Sequence, residues 1–190
     1  MAIELALIVA AVLTLVLAVF LVVVTYNNVV ALQRRCERAW ANIDVALKQR
    51  FDQLPNLVAA VKGAMEFEEQ VLDEVTRARA RYQPDASVHD QAVVSEETSH
   101  AVRSLFATVE DYPELKSHEN VMALQEEIER LETLIARRRE LFNNQVYQHN
   151  LVITTIPAVI LRPLFGWRLV ESFNAEDHER ERPEASIHAA

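Results

Sequence analysis

Glycine is almost missing from this chain. Gly63 and Gly166 are the only two in 190 residues, against an average usage near ~7%. Loops that cradle phosphates need closely spaced glycines, so P-loop and dinucleotide-binding turns are excluded. Cysteine occurs once, as Cys36, so no intrachain disulfide can form and the redox compartment stays open. The six histidines never stand four apart, and neither an H-E-x-x-H nor a C-x-x-C motif exists. No metal site is therefore expected. No serine sits in a glycine-flanked elbow, so no catalytic set and no cofactor is expected either. Positive charge is short as well: 19 Lys and Arg face 28 Asp and Glu, for a net charge of −9. That balance argues against nucleic acid as a partner.

What the chain does have is one long apolar run. Residues 5–24 are all apolar except Thr14, with no charge, proline or glycine. Such a run, helical at ~1.5 Å per residue, spans the ~30 Å hydrocarbon core of a bilayer. A cleaved signal peptide needs a positive start, a shorter apolar core and a small-residue cleavage site. None of these is present, so residues 1–25 are expected to be an uncleaved transmembrane anchor. No Lys or Arg precedes the run, whereas Arg34, Arg35, Arg38, Lys48 and Arg50 follow it. The positive-inside bias then puts the N-terminus outside and the rest in the cytoplasm.

Beyond the anchor, an apolar stripe runs Val29, Leu32, Cys36, Trp40, Ile43, Leu47, Phe51, Leu54, Val58, Val61, Met65. Its steps of three and four mark one buried helix face. Arg34, Arg38, Lys48, Asp52 and Lys62 occupy the other face. No breaker divides this stripe from the anchor, so one continuous helix is expected, kinked at Pro55 and ending near Gly63. A second helix is expected over 66–82, its stripe being Glu68, Val71, Leu72, Val75, Ala78, Arg79 and Tyr82. Residues 83–90 read as a loop. A third helix follows over 93–111, closed by Tyr112-Pro113. The last begins near Ser117 or Glu119 and ends at Pro157. Its stripe is Val121, Leu124, Ile128, Leu131, Ile135, Phe142, Val146, His149, Ile153, with Leu134 and Leu141 beside it and a Glu126–Arg130 pair on its surface.

The expected fold class is all-α: a transmembrane helix continuing into an antiparallel, up-and-down four-helix bundle over 26–156. Three long helices, with the middle two stacked end to end, are the alternative. Residues 157–173 are apolar but broken by Pro163 and Gly166. In the bundle they return to the bilayer, with Ile160, Leu161, Leu164, Phe165 and Trp167 in the interface and Arg162 and Arg168 at headgroups. In the three-helix arrangement they lie far from it. Residues 174–190 read as a disordered charged tail.

Cys36 lies in the stripe and reads as a packed thiol. Asn42, Asp44, Asn56, Asn143, Asn144 and Asn150 read as polar layers fixing helix register, or as a partner-binding surface. Asn56 is placed to serve the carbonyl that Pro55 leaves unpaired. Arg137-Arg138-Arg139 reads as a solvated face.

The motifs W-x-x-I-D-V (40–45), L-P-N-L-V (54–58), Y-P-x-L-K (112–116) and L-Q-E-E-I-E-x-x-E (124–132) resemble those of the LemA family of membrane-anchored bacterial proteins. The resemblance covers about 26–173. It carries Trp40, Asp44, Pro55, Asn56, Tyr112, Pro113, Asn143, Asn150 and Trp167 as structural or interaction candidates. It departs where the family usually has Tyr-Asn pairs, here Phe142-Asn143 and His149-Asn150, and where a family histidine is replaced by Asp52. The resemblance implies a single N-terminal transmembrane helix, a helical domain and no established catalysis. The resulting expectation is a non-catalytic scaffold or adaptor at the bacterial inner membrane, partnered by lipid and by itself or other membrane proteins. Membrane remodelling is the alternative.

Overall fold

In the computed structural model, one helix, α1 (Ala2–Ala64), carries both the apolar run and the first third of the domain core. The structure describes residues 1–64, 69–113 and 118–175. Among these it is all-helical: α1 is followed by α2 (Glu69–Arg81), α3 (Val88–Glu110), α4 (Glu119–Thr154) and the short α5 (Ala158–Phe165). Met65, Glu66 and Glu68, assigned to the first two helices by their spacing, lie outside the described residues, as does the tail beyond 175.

The lower part of α1 packs no side chain into the core. No residue of 5–24 is buried, and its most apolar window has a mean hydropathy of 3.4. So much contiguous apolar surface is incompatible with water. Its one polar side chain, Thr14, donates to the Ala10 carbonyl at 2.9 Å, so its hydroxyl is satisfied within the helix. From Val29 upward the same helix buries a face. Val29, Cys36, Ile43, Arg50 and Leu57 recur every seventh residue, none above 3% exposed. Pro55 lies on the exposed side and the helix passes through it.

α1 pairs with α4 in the opposite direction and in strict register. Arg50 meets Glu132, Trp40 meets Phe142, and Val29 clusters with Ile153. Equal steps separate the successive partners on both helices. Such a contact extends over ~30 Å of helix axis. α2 and α3 lie side by side rather than end to end, with Arg81 of α2 paired to Glu97 of α3. Both pack on the shared core.

Several expectations need correcting. α3 starts five residues early, at Val88, because Ser87 caps it: its hydroxyl accepts from the Asp90 amide at 3.0 Å and donates to the Asp90 carboxylate at 2.7 Å. This is a serine N-cap whose hydroxyl is itself held by the Asp90 carboxylate, and the expected loop is correspondingly shorter. Arg79 and Leu141 are exposed. Arg130 pairs with Glu127, three residues away, through two bonds of 2.7 and 2.8 Å, not with Glu126.

The largest correction concerns Arg50. Counted above as a flanking charge, it is wholly buried. Its guanidinium donates to Glu132 at 2.6 Å, to the Ser99 hydroxyl at 2.9 Å, and to the Ser95 hydroxyl and carbonyl at 3.0 and 3.2 Å. Ser99 donates to the second Glu132 oxygen at 2.8 Å. Burial lowers the arginine pKa and the Glu132 carboxylate opposes that shift. One polar node thus ties α1, α3 and α4 together. Glu132→Ala, which leaves the arginine buried without its counter-charge, should cost about 3 kcal/mol. That is the lower end for a broken buried pair, because Glu132 keeps an edge to solvent. Urea unfolding followed by circular dichroism reads this cost, and a change below about 1 kcal/mol would show the node to be dispensable.

Candidate functional site

After α4 the chain turns back on itself. α5 packs against α1, and its apolar inner side closes a small cluster of Val29, Ile153, Ala158 and Trp167. Gly166 ends α5 with φ +68°, the left-handed conformation that favours glycine at this position. The Gly166 amide donates to the Arg162 carbonyl at 2.9 Å, and Arg162 Nε donates to the Trp167 carbonyl at 3.1 Å. The turn aims the remaining residues back up along α4.

Two asparagines receive them. Asn150 accepts from the Val170 amide at 2.9 Å and donates to the Val170 carbonyl at 2.9 Å. Asn143 does the same for Phe173, at 2.8 and 3.2 Å. Each carboxamide therefore reproduces the donor–acceptor pair of a neighbouring peptide strand. The spacings agree: seven residues of helix rise ~10.5 Å, and three residues of extended chain cover ~10 Å. Trp167 and Phe173 flank this clasp and are buried, at 9% and 2% exposure. Phe173 packs on Trp40 with centroids 6.0 Å apart, and Trp40 on Phe142 at 5.6 Å. At the lower end, Tyr26 of α1 meets Phe165 at 5.1 Å and Trp167 at 6.2 Å.

Four candidates named from sequence thus come together here: Trp40, Asn143, Asn150 and Trp167. Their roles differ from those expected. The two asparagines hold the C-terminal segment, not a neighbouring helix. Trp167 is packed inside, whereas Val159, Phe165 and Leu169 are exposed and Ile156, Ile160 and Leu164 more so, at 80%, 68% and 75%. Ile160 and Leu164 stand four apart on one face of α5, and Ile156 lies in the turn before it. The pairing was legible in principle, since Asn143 and Asn150 are seven apart and share a helix face.

The other candidates lie elsewhere. Asp44 accepts from the Tyr82 hydroxyl at 3.5 Å, and Tyr82 stacks on Phe51 at 4.0 Å. Pro55 and Asn56 are exposed. Asn56 donates to the Gln53 side chain at 3.1 Å, so its amide does not serve the carbonyl that Pro55 leaves unpaired. Tyr112 is half-buried against the core and Pro113 is exposed. Cys36 is buried, which raises its thiol pKa and keeps it unreactive. No cluster of His, Cys, Asp and Glu suited to a metal occurs among the described residues.

The chain thus combines a helical domain, an apolar N-terminal stretch and a C-terminal segment clasped against α4. The LemA family profile matches residues 39–186. The chain belongs to the LemA family. No curated protein matches it. The apolar stretch of α1 that precedes the matched region is consistent with membrane anchoring of this LemA protein.

Two outcomes test this geometry. Asn143→Ala with Asn150→Ala removes four hydrogen bonds to the segment, each worth about 1 kcal/mol. Hydrogen exchange at Val170 and Phe173 should accelerate at least tenfold while the α1 and α4 amides stay protected. Unchanged exchange would mean that the aromatic packing alone holds the segment. Separately, burial first and the Asp44 charge second push the Tyr82 pKa up to about 12. Below pH 10 the phenol is protonated in both folded and unfolded chains and contributes no pH dependence. Between pH 10 and about 12 only the unfolded chain releases the proton, so stability should fall as pH rises. Tyr82→Phe should flatten that part of the stability–pH curve.

Proposed function

We propose that this LemA protein is a non-enzymatic, single-pass scaffold at the bacterial inner membrane, with its N-terminus outside and its domain in the cytoplasm. Its long helices act as one up-and-down bundle that assembles with further copies or with other membrane proteins. The observation that carries this reading is the continuity of α1. A helix that is bare over 5–24 and buries a face from Val29 onward holds the domain at a set angle to the bilayer. Exposed Arg34, Arg35, Arg38 and Lys48 support the orientation through their positive charge. Crosslinking with mass spectrometry in native membranes is the direct test. Crosslinks between copies, or to a consistent set of membrane proteins, are the expected result; a monomer crosslinked to nothing would overturn the reading.

A second reading, membrane organisation, is favoured by the exposed Ile160, Leu164 and Phe165 of α5, of which Phe165 meets Tyr26. Aromatic residues are enriched at the level where lipid tails meet headgroups. An apolar stripe at that depth is suited to lie in the interface, with exposed Arg168 reaching headgroups. A nitroxide at Ile160 of the full chain in liposomes should then be relaxed more by oxygen than by a nickel complex. The same ratio there as at exposed Tyr147 would exclude the contact.

A further inference from the structure

A groove of about 350 Å³ opens between α1 and α4, lined by Arg35, Arg38 and Arg138. Asn42 and Gln145 add carboxamides and Leu141 an apolar wall. At ~100° per residue, Arg138, Leu141 and Gln145 fall on the opposite side of Phe142 from Asn143 and Asn150. The groove is therefore separate from the clasp.

Its charge runs against the rest of the protein. Outside the groove, Arg34, Arg50, Arg81, Arg103, Arg130 and Arg139 each meet a carboxylate, whereas among the described residues no ion pair joins Arg77, Arg79, Arg137, Arg162 or Arg168 to one. Among the described residues the three groove arginines meet none, in a chain of net charge −9. Arg38 Nε is engaged by the Arg34 carbonyl at 3.2 Å, and Arg138 Nη1 donates to the Asn42 carbonyl. Both contacts fix a guanidinium at the groove while leaving other N–H donors unused. Three like charges without a counter-ion repel one another, and a multiply charged anion relieves that repulsion.

We propose that this groove binds a soluble phosphate-bearing anion of at least two negative charges. The guanidinium fork matches phosphate oxygens in pairs, and the carboxamides of Asn42 and Gln145 supply further donors. Height along α1 selects a free anion over a lipid headgroup. Arg35 stands eleven residues beyond Val24, or ~16 Å along the helix, while the headgroup layer is only ~5–7 Å deep.

Inorganic pyrophosphate, titrated calorimetrically into the full chain in neutral detergent at low salt, is the probe. Saturable binding is expected, weakened at least tenfold in Arg35→Gln/Arg38→Gln. Both of these side chains are exposed and make no tertiary bond, so the variant should retain the wild-type melting curve. Arg138→Gln, which also loses the Asn42 bond, is the second variant and should weaken binding likewise. Arg137→Gln, outside the groove, should leave it unchanged. Absence of binding, or equal affinity in wild type and the double variant, would overturn the proposal. In a parallel arm, the chain is reconstituted in phosphatidylcholine vesicles with or without phosphatidylinositol phosphate, and pyrophosphate is titrated again. The affinity should be the same in both; competition by the lipid alone would assign the groove to a headgroup and overturn the soluble source.

Discussion

Everything in this molecule depends on one helix satisfying two solvents. Over residues 5–24 α1 buries no side chain, and every side chain there except Thr14 is apolar. Five residues later, at Val29, the same helix begins to turn one face to a protein core and the other to water. Nothing along the way relaxes the backbone, since no glycine or proline occurs before Pro55. The helix axis therefore fixes the direction in which the domain extends from the apolar stretch. α4 follows α1 residue for residue from Arg50 to Val29, so the chain's return path ends beside the place where the anchor emerges.

The polar node at Arg50 sits within that pairing. Val29, Cys36, Ile43 and Leu57 occupy the remaining positions of its seven-residue series, and each is apolar. A single charged member in such a series favours one alignment of the facing helix, because Glu132 supplies the counter-charge to the guanidinium while Ser95 and Ser99 of α3 accept from its Nη atoms. Apolar contacts alone would permit slippage by a turn. The node selects the register that the core then fills.

Much of this was legible from spacing. The three-and-four stripe of α1 and that of α4 give the buried faces nearly residue for residue, and the missing breakers give the continuity of α1. What escaped was carried by polar residues whose phase matters more than their type. Arg50 lies three residues after Leu47 and four before Leu54, inside the stripe, yet positive charge suggests an exposed flank. Ser87 and Asp90 stand in a segment whose Pro, Asp and Ser content reads as loop, although their spacing is that of a cap. The partner of Asn143 and Asn150 was invisible for a different reason. Their ligands are backbone atoms of Val170 and Phe173, and no side-chain pattern announces a backbone contact. The identity of the clasp therefore required the turn at Gly166, which places that backbone within reach.

The two asparagine contacts act as a vernier between unlike scales, with seven helical residues matched to three extended ones. Loss or gain of one residue between Val170 and Phe173 would leave only one of the two contacts engaged. Sliding of the segment along α4 is blocked for the same reason, since no smaller step brings both amides back into line. A load applied to the C-terminus along the α4 axis meets both contacts at once and is borne in shear. A load applied outward meets Phe173 first and peels the segment one contact at a time toward the membrane.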